Sequence, residues 1–303
     1  MTGRLAVVIV HWQDAGETLA CVDSLAAEPP DHIVVVDNGS HEPVGDLLAR
    51  RASQVDVVRL SENRGFAGGA NVGMERALAR GADVVLLLNN DARLYAGAQA
   101  AARAALDGDP RVAVVGARVV TREDPARLWL AWGDVTYRQS LVALRGADEL
   151  DGPGWRTARD VAWVAGCAMW FRAEALRALG LLDETFFAYH EEVDWCARAR
   201  ERGWRVLYWP DAVVTHTGRG SHGNPRSIRV RKYFAARNTI LFARKHARPL
   251  EWAKLAAFLA VMLPLELAYR AVTGGAAETR LKLEGIRDAL AGRRPPFERL
   301  GLR

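Results

Sequence analysis

Cysteine is scarce in this 303-residue chain: Cys21, Cys167 and Cys196 are odd in number, far apart, and show neither CxxC nor metal-ligand spacing. A disulfide framework is excluded, and free thiols in a reducing compartment are expected. There is no internal repeat and no low-complexity stretch. With 50% hydrophobic and 25% charged residues, disorder and collagen-like readings also fall away. Long apolar runs are missing too. Leu5–Val10 is ended by His11 and Asp14, too soon for a signal-peptide core, so it reads as a buried first strand. Leu255–Leu265 is free of charge for eleven residues, whereas spanning a bilayer takes about 20.

A large imbalance of charge is absent from the total, because 41 Lys/Arg against 36 Asp/Glu leave only +5. The distribution along the chain says otherwise. From Arg219 onward there are 18 basic and 6 acidic residues, net +12, so the preceding residues include 23 basic and 30 acidic, net −7. An acidic body with a basic tail points to an anionic surface or ligand on one side only.

Strand and helix signals alternate through the first two hundred residues. Leu5–Val10, Ile33–Val36, Val55–Leu60 and Asp83–Leu88 read as strands, mostly continuous aliphatic runs of the kind buried on both faces. Glu17–Ala26, Phe66–Arg80 and Ala96–Leu106 have helical spacing. Val112–Val120 reads as β structure broken by Gly116. Pro125–Asp160, rich in Trp, Gly and charge, reads as hairpins or a variable loop. Arg172–Leu179 and Glu191–Arg202 read as helices, the latter ended by Gly203. Trp204–Trp209 and Ala212–Thr215 read as two short β segments separated by Pro210-Asp211, before a loop at Gly218–Pro225. This alternation predicts an α/β fold with a doubly wound, mostly parallel sheet. In such sheets ligands bind beyond the carboxyl ends of the strands.

Polar clusters at those ends are the candidates for chemistry. Asp37-Asn38-Gly39-Ser40 follows a strand and offers a carboxylate to a base or ribose, or else a plain turn in which Ser40 caps the next helix. Asn63-Arg64-Gly65-Phe66-Ala67-Gly68-Gly69-Ala70-Asn71 permits close backbone approach at a helix start, suited to phosphate or ribose, or to tight helix packing. It is neither G-x-G-x-x-G nor a P-loop. Asn89-Asn90-Asp91 ends another strand; its carboxylate could hold Mg²⁺ or Mn²⁺ against a diphosphate, or cap a helix. Tyr189-His190-Glu191-Glu192-Val193-Asp194-Trp195 puts three acids at a helix start, with Glu192 about 100° from Glu191 and Glu191 sharing a face with Asp194. One acid can thus serve structure while another faces substrate as general base. His216 ends a strand as a structural histidine or a metal ligand beside Asp91.

The ordered set DNGS, NRGFAGGAN, LNND, VAGCAMWFR, HEEVDWCARARERGW and a downstream His resembles the family-2 inverting glycosyltransferases of GT-A fold, in the rhamnosyltransferase-like branch, over about residues 4–245. The resemblance implies a GT-A, Rossmann-like catalytic domain over 1–225, its nucleotide-sugar region about 1–120 and its acceptor region about 121–225, with a helical, basic extension over 226–303. It implies a nucleotide-sugar pocket at Val10, Asp37, Asn38, Asn63, Gly65, Phe66, Gly69, Asn71, Asn89 and Asn90, with Asp37 at the base. Asp91 and His216 would hold Mg²⁺ or Mn²⁺. Gly166, Cys167 and Trp195 would meet the acceptor. Glu191-Glu192 occupies the catalytic E-D position, with Glu192, in place of the commoner Asp, as the base.

The implied reaction is a single displacement from a nucleotide-diphosphate sugar, dTDP-rhamnose favoured, to a hydroxyl of a polyprenyl-linked or polysaccharide acceptor. The segment Arg231–Asn238 resembles the family's aromatic-basic stretch. Helical spacing turns its Lys232, Ala236 and Arg237 to one side, toward a lipid-linked diphosphate or an anionic leaflet. Trp252 and Tyr269 flank the apolar run as an interfacial helix would require. The expected place is the cytoplasmic face of a membrane, with oligomers open. A sugar-1-phosphate nucleotidyltransferase lacks support, because Val8–Gly16 has no Gly-rich basic loop. A non-catalytic nucleotide-sugar binder is disfavoured by the retained acids. A nucleic-acid binder is disfavoured because stacking aromatics do not interleave with the tail arginines.

Overall fold

The aliphatic runs become the centre of one twisted sheet. The computed structural model describes residues 3–49, 55–138, 141–217 and 225–302; the loop read at Gly218–Pro225 lies outside them except for its last residue. The described chain separates into two compact units. The first is Met1–Gly133, Leu144–Glu184 and Glu192–Gly218; the second is Asp134–Ala143, Thr185–Glu191 and Arg219–Arg303.

The first unit begins β1 (Leu5–His11), α1 (Ala15–Asp23), β2 (His32–Asp37), α2 (Gly45–Ala49), β3 (Val55–Arg59), α3 (Gly65–Ala79) and β4 (Val84–Asn89). It continues through β5 (Ala92–Leu94), α4 (Ala98–Gly108), β6 (Val112–Thr121) and β7 (Leu128–Leu130). The chain next forms a two-stranded ribbon, β8 (Trp132–Val135) with β9 (Val142–Arg145), whose stretch Asp134–Ala143 belongs to the second unit; strand pairing is thus present in the irregular region. Then come β10 (Arg159–Asp160), β11 (Ala168–Arg172), α5 (Ala173–Leu179), α6 (Glu191–Glu201) and β12 (Arg205–His216).

The large sheet runs β10-β12-β6-β11-β4-β1-β2-β3. β3, β2, β1 and β4 pair in parallel, and β12 pairs in parallel with β6. β11 is antiparallel to both of its neighbours, so β6 and β12 run the same way as β4. Among the long described strands only β11 is reversed, and the sheet is mostly parallel as expected. The consequence for the site is direct. His11, Asp37, Asn89, Thr121 and His216 end their strands at one edge, and the Gly166-Cys167 entry to β11 meets them there: the Asn89 amide donates to the Cys167 carbonyl at 2.9 Å.

Two sequence readings are corrected. Gly116 does not break β6, which is continuous and wholly buried. A Cβ there would fall inside van der Waals contact with Val164, so the glycine answers close packing over an unbroken strand. Likewise Pro210-Asp211 does not divide the segment: β12 is one strand with a register shift against β6 between Trp209 and Val213. A bulge absorbs the proline, which has no N–H for the ladder.

The second unit is helical: α7 (Pro225–His246), α8 (Pro249–Thr273), α9 (Ala276–Leu290) and α10 (Phe297–Leu300). Ile240, Ala243, Leu255 and Ala289 form its core, with Trp252 and Ile286 packed against them. The buried Tyr233 hydroxyl of α7 donates to Asp288 of α9 at 2.9 Å. α8 starts on Pro249, where a missing N–H costs nothing, and Glu251 accepts from the Arg248 amide at 2.7 Å. The charge-free run is thus the middle of a 25-residue helix, long and apolar enough by composition to cross a membrane, with 11% of its most apolar window buried.

Candidate active site

The VDNGS cluster is a tightly bonded turn. Asp37 is 1% exposed; its Oδ1 accepts from the Ser40 amide at 2.9 Å, and its Oδ2 lies 3.5 Å from Arg59. Gly39 sits at φ +73°, and a Cβ on it would strike the backbone of Glu62. Ser40 does not cap α2, which begins only at Gly45; its hydroxyl accepts from the Gln13 amide instead. Asn38 clamps the next loop. Its amide donates to Asn63 Oδ1 and to the Gly65 carbonyl, while its Oδ1 accepts from the Arg64 amide. Asn63 Oδ1 also takes the Gly65 amide at 2.8 Å.

Gly69 packs the start of α3 on β1: a Cβ there would lie 2.9 Å from Val10 and 3.3 Å from Asn38. Phe66 is half-buried beside it. Asn71 turns away from this loop. Its side chain donates to the Leu182 carbonyl and to Glu184, and accepts from the Leu182 amide. The structure therefore uses Asp37, Asn38 and Asn71 to hold the neighbouring turns and loops, their polar atoms already bonded within the protein. Sequence spacing held no sign of those long-range partners.

The LNND cluster meets His216 as expected. His216 Nε2 lies 3.0 Å from Asp91 Oδ1, and Thr217 donates to Asp91 Oδ2 at 3.0 Å. Burial works against ionisation of Asp91, but the bonds from His216 and Thr217 outweigh it and hold the carboxyl below its ordinary range. Asn89 Nδ2 lies 3.4 Å from the same imidazole nitrogen, and Asn89 Oδ1 is buried with no hydrogen-bond partner among the described residues. The Trp129 ring packs against the imidazole, centroids 4.5 Å apart.

A carboxylate and an imidazole 3.0 Å apart, with the Asn89 side chain beside them, suit Mg²⁺ or Mn²⁺ if a diphosphate completes the coordination. Among the described residues there is no cluster of three or more His, Cys, Asp or Glu that could hold a metal by itself. The donor set fits a cation shared with a ligand and does not fit a self-sufficient structural metal.

The sequence reading missed the residues that brace this corner. Asn90 donates to Thr18 Oγ1 at 3.2 Å, and Thr18 donates to the Asp14 carbonyl. The single hydroxyl proton is thereby used, so Thr18 accepts from His11 Nδ1 at 2.7 Å, which fixes the His11 tautomer. Glu17 accepts from both Arg93, at 2.5 Å, and Arg122, at 2.8 Å. The Arg122 bond, aided by Arg93, holds the Glu17 carboxyl low against burial. Arg93 also donates to the Asn90 carbonyl. An arginine two residues past Asp91 was the available signal.

Of the three acids of the HEEVD segment, the structure separates the roles. Asp194 is fully buried and bound to Arg198 at 2.9 Å, which also donates to the Leu179 and Leu181 carbonyls. It is structural. Glu191, the first residue of α6, is 5% exposed. Glu192 is half-buried and lies over Gly166, where an added Cβ would stand 3.4 Å from its Cγ. Gly166 therefore adjoins the candidate base, at the sheet edge that also carries Asp91.

The other two acceptor candidates are corrected. The Cys167 thiol is 2% exposed, and burial pushes its pKa far up, as it does to about 12 for Cys21 and Cys196; these thiols are inert. Trp195 is fully buried, edge-on to Phe171, with its indole N–H given to the Gly180 carbonyl. Both are core.

In the second unit, the turn before Glu191 is strained. Phe187, Tyr189 and His190 all have positive φ, 63°, 69° and 71°, a cost of order 1–3 kcal/mol each for such residues. The buried Asn238 of α7 holds the turn by donating to the carbonyls of Phe186, Ala188 and Tyr189 at 2.9, 2.8 and 2.7 Å. Arg237 does not face a membrane or lipid. It is 8% exposed and donates to the Thr185 carbonyl at 2.8 Å.

Asn238→Ala is expected to destabilise the protein by about 2 kcal/mol in urea titration, since it leaves buried carbonyls without donors. Burial alone pushes the His190 imidazolium down to about 4. Its folded value lies below its unfolded one, so the stability from keeping it neutral is complete above about pH 6.5 and is lost as pH falls toward about 4. His190→Asn, which tolerates the same positive φ, is expected to flatten stability against pH across that window.

The β3-β2-β1-β4 parallel half and the reversed β11 match the GT-A architecture. The chain belongs to the "Glycosyltransferase like family 2" family, whose profile matches residues 3–239. It is 32% identical over 221 residues to the galactofuranosyltransferase GlfT1 of Mycobacterium tuberculosis, covering 71% of each chain. It is 27% identical over 284 residues to the N-acetylglucosaminyl-diphospho-decaprenol L-rhamnosyltransferase of the same organism, covering 83% of this chain and 89% of that protein. Among solved structures it resembles the mannosyltransferase PcManGT of Pyrobaculum calidifontis, in complex with GDP-Man and Mn²⁺. The TM-score is 0.58 with 19% identity, over 99% of this chain and 83% of that one. The nucleotidyltransferase and non-catalytic readings fall with the family assignment.

Proposed function

We propose that this glycosyltransferase moves rhamnose from dTDP-rhamnose to a hydroxyl of a polyprenyl-linked or polysaccharide acceptor, with inversion, at the cytoplasmic face of a membrane. The observation that carries the reading is the placement of Glu192 over Gly166 at the sheet edge that also carries the Asp91–His216 pair. The named rhamnosyl relative supports the sugar and the lipid-linked acceptor. In the reaction, a Glu192 carboxylate oxygen takes the proton of the acceptor hydroxyl. The hydroxyl oxygen bonds to the anomeric carbon as the bond from this carbon to the diphosphate oxygen breaks, and the nucleoside diphosphate leaves. One displacement inverts the configuration.

Asp91 and His216 would hold a divalent cation, which supplies charge neutralisation for the diphosphate. The turns held by Asp37, Asn38, Asn63 and Asn71, with Val10, Gly65, Phe66, Gly69 and Asn90, shape the donor pocket. The identity to GlfT1 favours a second reading, a galactofuranosyl donor. Incubation with a panel of nucleotide sugars and a polyprenyl diphosphate-linked acceptor decides. Release of dTDP with transfer supports the first reading, release only from a galactofuranosyl nucleotide supports the second, and no release from any donor overturns both.

A further inference from the structure

The second unit contains a cavity of about 240 Å³ that the donor chemistry does not use. Leu259 and Leu263 of α8 and Ile286 of α9 give it an apolar wall, while Arg231 and Lys232 of α7 and Lys282 of α9 bring three cations to it. His190 also lines it, 7% exposed and with no hydrogen-bond partner for its Nδ1 among the described residues.

The cations are incompletely answered. Lys282 is paired with Glu266 at 2.6 Å, but Lys232 reaches Glu278 only at 3.8 Å. Burial first, and then the neighbouring charge of Lys282, lower the Lys232 pKa. Burial opposes the Lys232 charge and the carboxylates of Glu278 and Glu266 answer it only in part, so an anion seated beside Lys232 would be favoured.

α8 is apolar on its other side as well: Leu250, Val261, Leu265, Tyr269 and Val272 are all more than half exposed, and at about 100° per residue they lie roughly opposite Leu259 and Leu263. A free nucleotide would match the cations and leave the Leu259–Leu263 wall unused; apart from His190, no aromatic ring among the described residues lines the cavity for a base. An anionic membrane surface would match a flat basic face and not a concave one. An isoprenoid diphosphate matches both parts of the lining: phosphates for Arg231, Lys232 and Lys282, and hydrocarbon for Leu259, Leu263 and Ile286.

We propose that this cavity seats the diphosphate and first isoprene units of a polyprenyl-linked acceptor, with Lys232, Lys282 and Arg231 on the phosphates and Leu259, Leu263 and Ile286 on the chain. The inference rests on the lipid-linked acceptor proposed above and assigns it a place. His190 lines the cavity and Glu192 follows it by two residues, so the acceptor seat and the base belong to one short stretch of chain.

The test is calorimetric titration of the full chain with farnesyl diphosphate, with inorganic diphosphate and farnesol as partial probes. Farnesyl diphosphate is expected to bind at least about tenfold more tightly than either. Lys232→Ala, which removes a cation, and Ala236→Leu, which fills the cavity, are each expected to weaken it about tenfold, while Lys232→Arg is not. Affinity for dTDP should stay unchanged in all three, which also reports that they fold.

Equal affinity for inorganic diphosphate would overturn the isoprenoid assignment. Unaltered farnesyl diphosphate affinity in both weakening variants would overturn the site. So would failure of farnesyl diphosphate to bind while Lys232 governs binding to phosphatidylglycerol vesicles, which would make the patch a membrane contact. The donor reading is judged separately by the nucleotide-sugar panel: transfer without the farnesyl pattern sinks the cavity alone, and the farnesyl pattern without dTDP-rhamnose turnover sinks the donor alone.

Discussion

Glu192→Gln is expected to lower turnover by about 10²–10⁴, the range for losing a positioned general base, while dTDP affinity stays within about twofold. The side chain keeps its length and shape, so the helix start and its packing on Gly166 survive; only proton acceptance is lost. Glu191→Gln is the control. Glu191 is 5% exposed at the first position of α6, where a carboxylate is favoured by the helix dipole. Its substitution should therefore appear first in stability, by about 1 kcal/mol, with turnover reduced far less than in Glu192→Gln. Near-normal turnover in Glu192→Gln, or the larger loss in Glu191→Gln, would remove Glu192 from the base role. Rapid-mix turnover with saturating donor, beside dTDP titration, separates the two effects.

Asp91→Asn should also be severe, with turnover down by about 10²–10³, as expected when a preorganised charge aimed at the leaving group is removed. The amide keeps the size of the side chain and can still meet Thr217. What disappears is the negative charge 3.0 Å from His216 Nε2. Mn²⁺ affinity, followed by electron paramagnetic resonance in the presence of dTDP, should fall in parallel, and chelation should stop the wild-type enzyme until Mg²⁺ or Mn²⁺ is returned. Full turnover in EDTA would take Asp91 and His216 out of the metal role. Because the Asp91 carboxyl is held below its ordinary range, it remains ionised in mild acid. Its contribution to stability is present above about pH 4 and is lost only as pH falls through the lowered folded value. Any fall in activity between about pH 7 and about pH 5 must come from another group.

The parallel half of the fold was legible because β1, β2 and β4 must be apolar on both faces, and polar residues interrupt them only where they reach the edge. DNGS and LNND were found for that reason. β11 was not legible as a reversed strand, since Ala168–Arg172 carries nothing that encodes its partners. Gly116 and Pro210 were misread by local propensity; a close-packed Val164 and a bulge decided them. Asp91, His216 and Glu192 fell together because short-range motifs set them at one edge. Asn38 and Asn71 looked like ligand groups because an amide bonded to a main chain 111 residues away is indistinguishable in sequence from one left open. Trp195 and Cys167 misled in the opposite way: their neighbours are chemical, but their own side chains point into the core.

The bonds from Asn238 to the Phe186–Tyr189 turn also impose an order of assembly. The β1–β4 sheet and its DNGS turn are built from roughly the first ninety residues and can close as soon as these are synthesised. The turn leading into Glu191 cannot be held in its left-handed conformation until α7, about fifty residues downstream, has been made. A nascent chain that has emerged only through β12 already possesses the strands of the large sheet and still lacks the amide that holds the turn before Glu191. The left-handed turn before Glu191 is therefore completed late in synthesis, whatever chemistry depends on it.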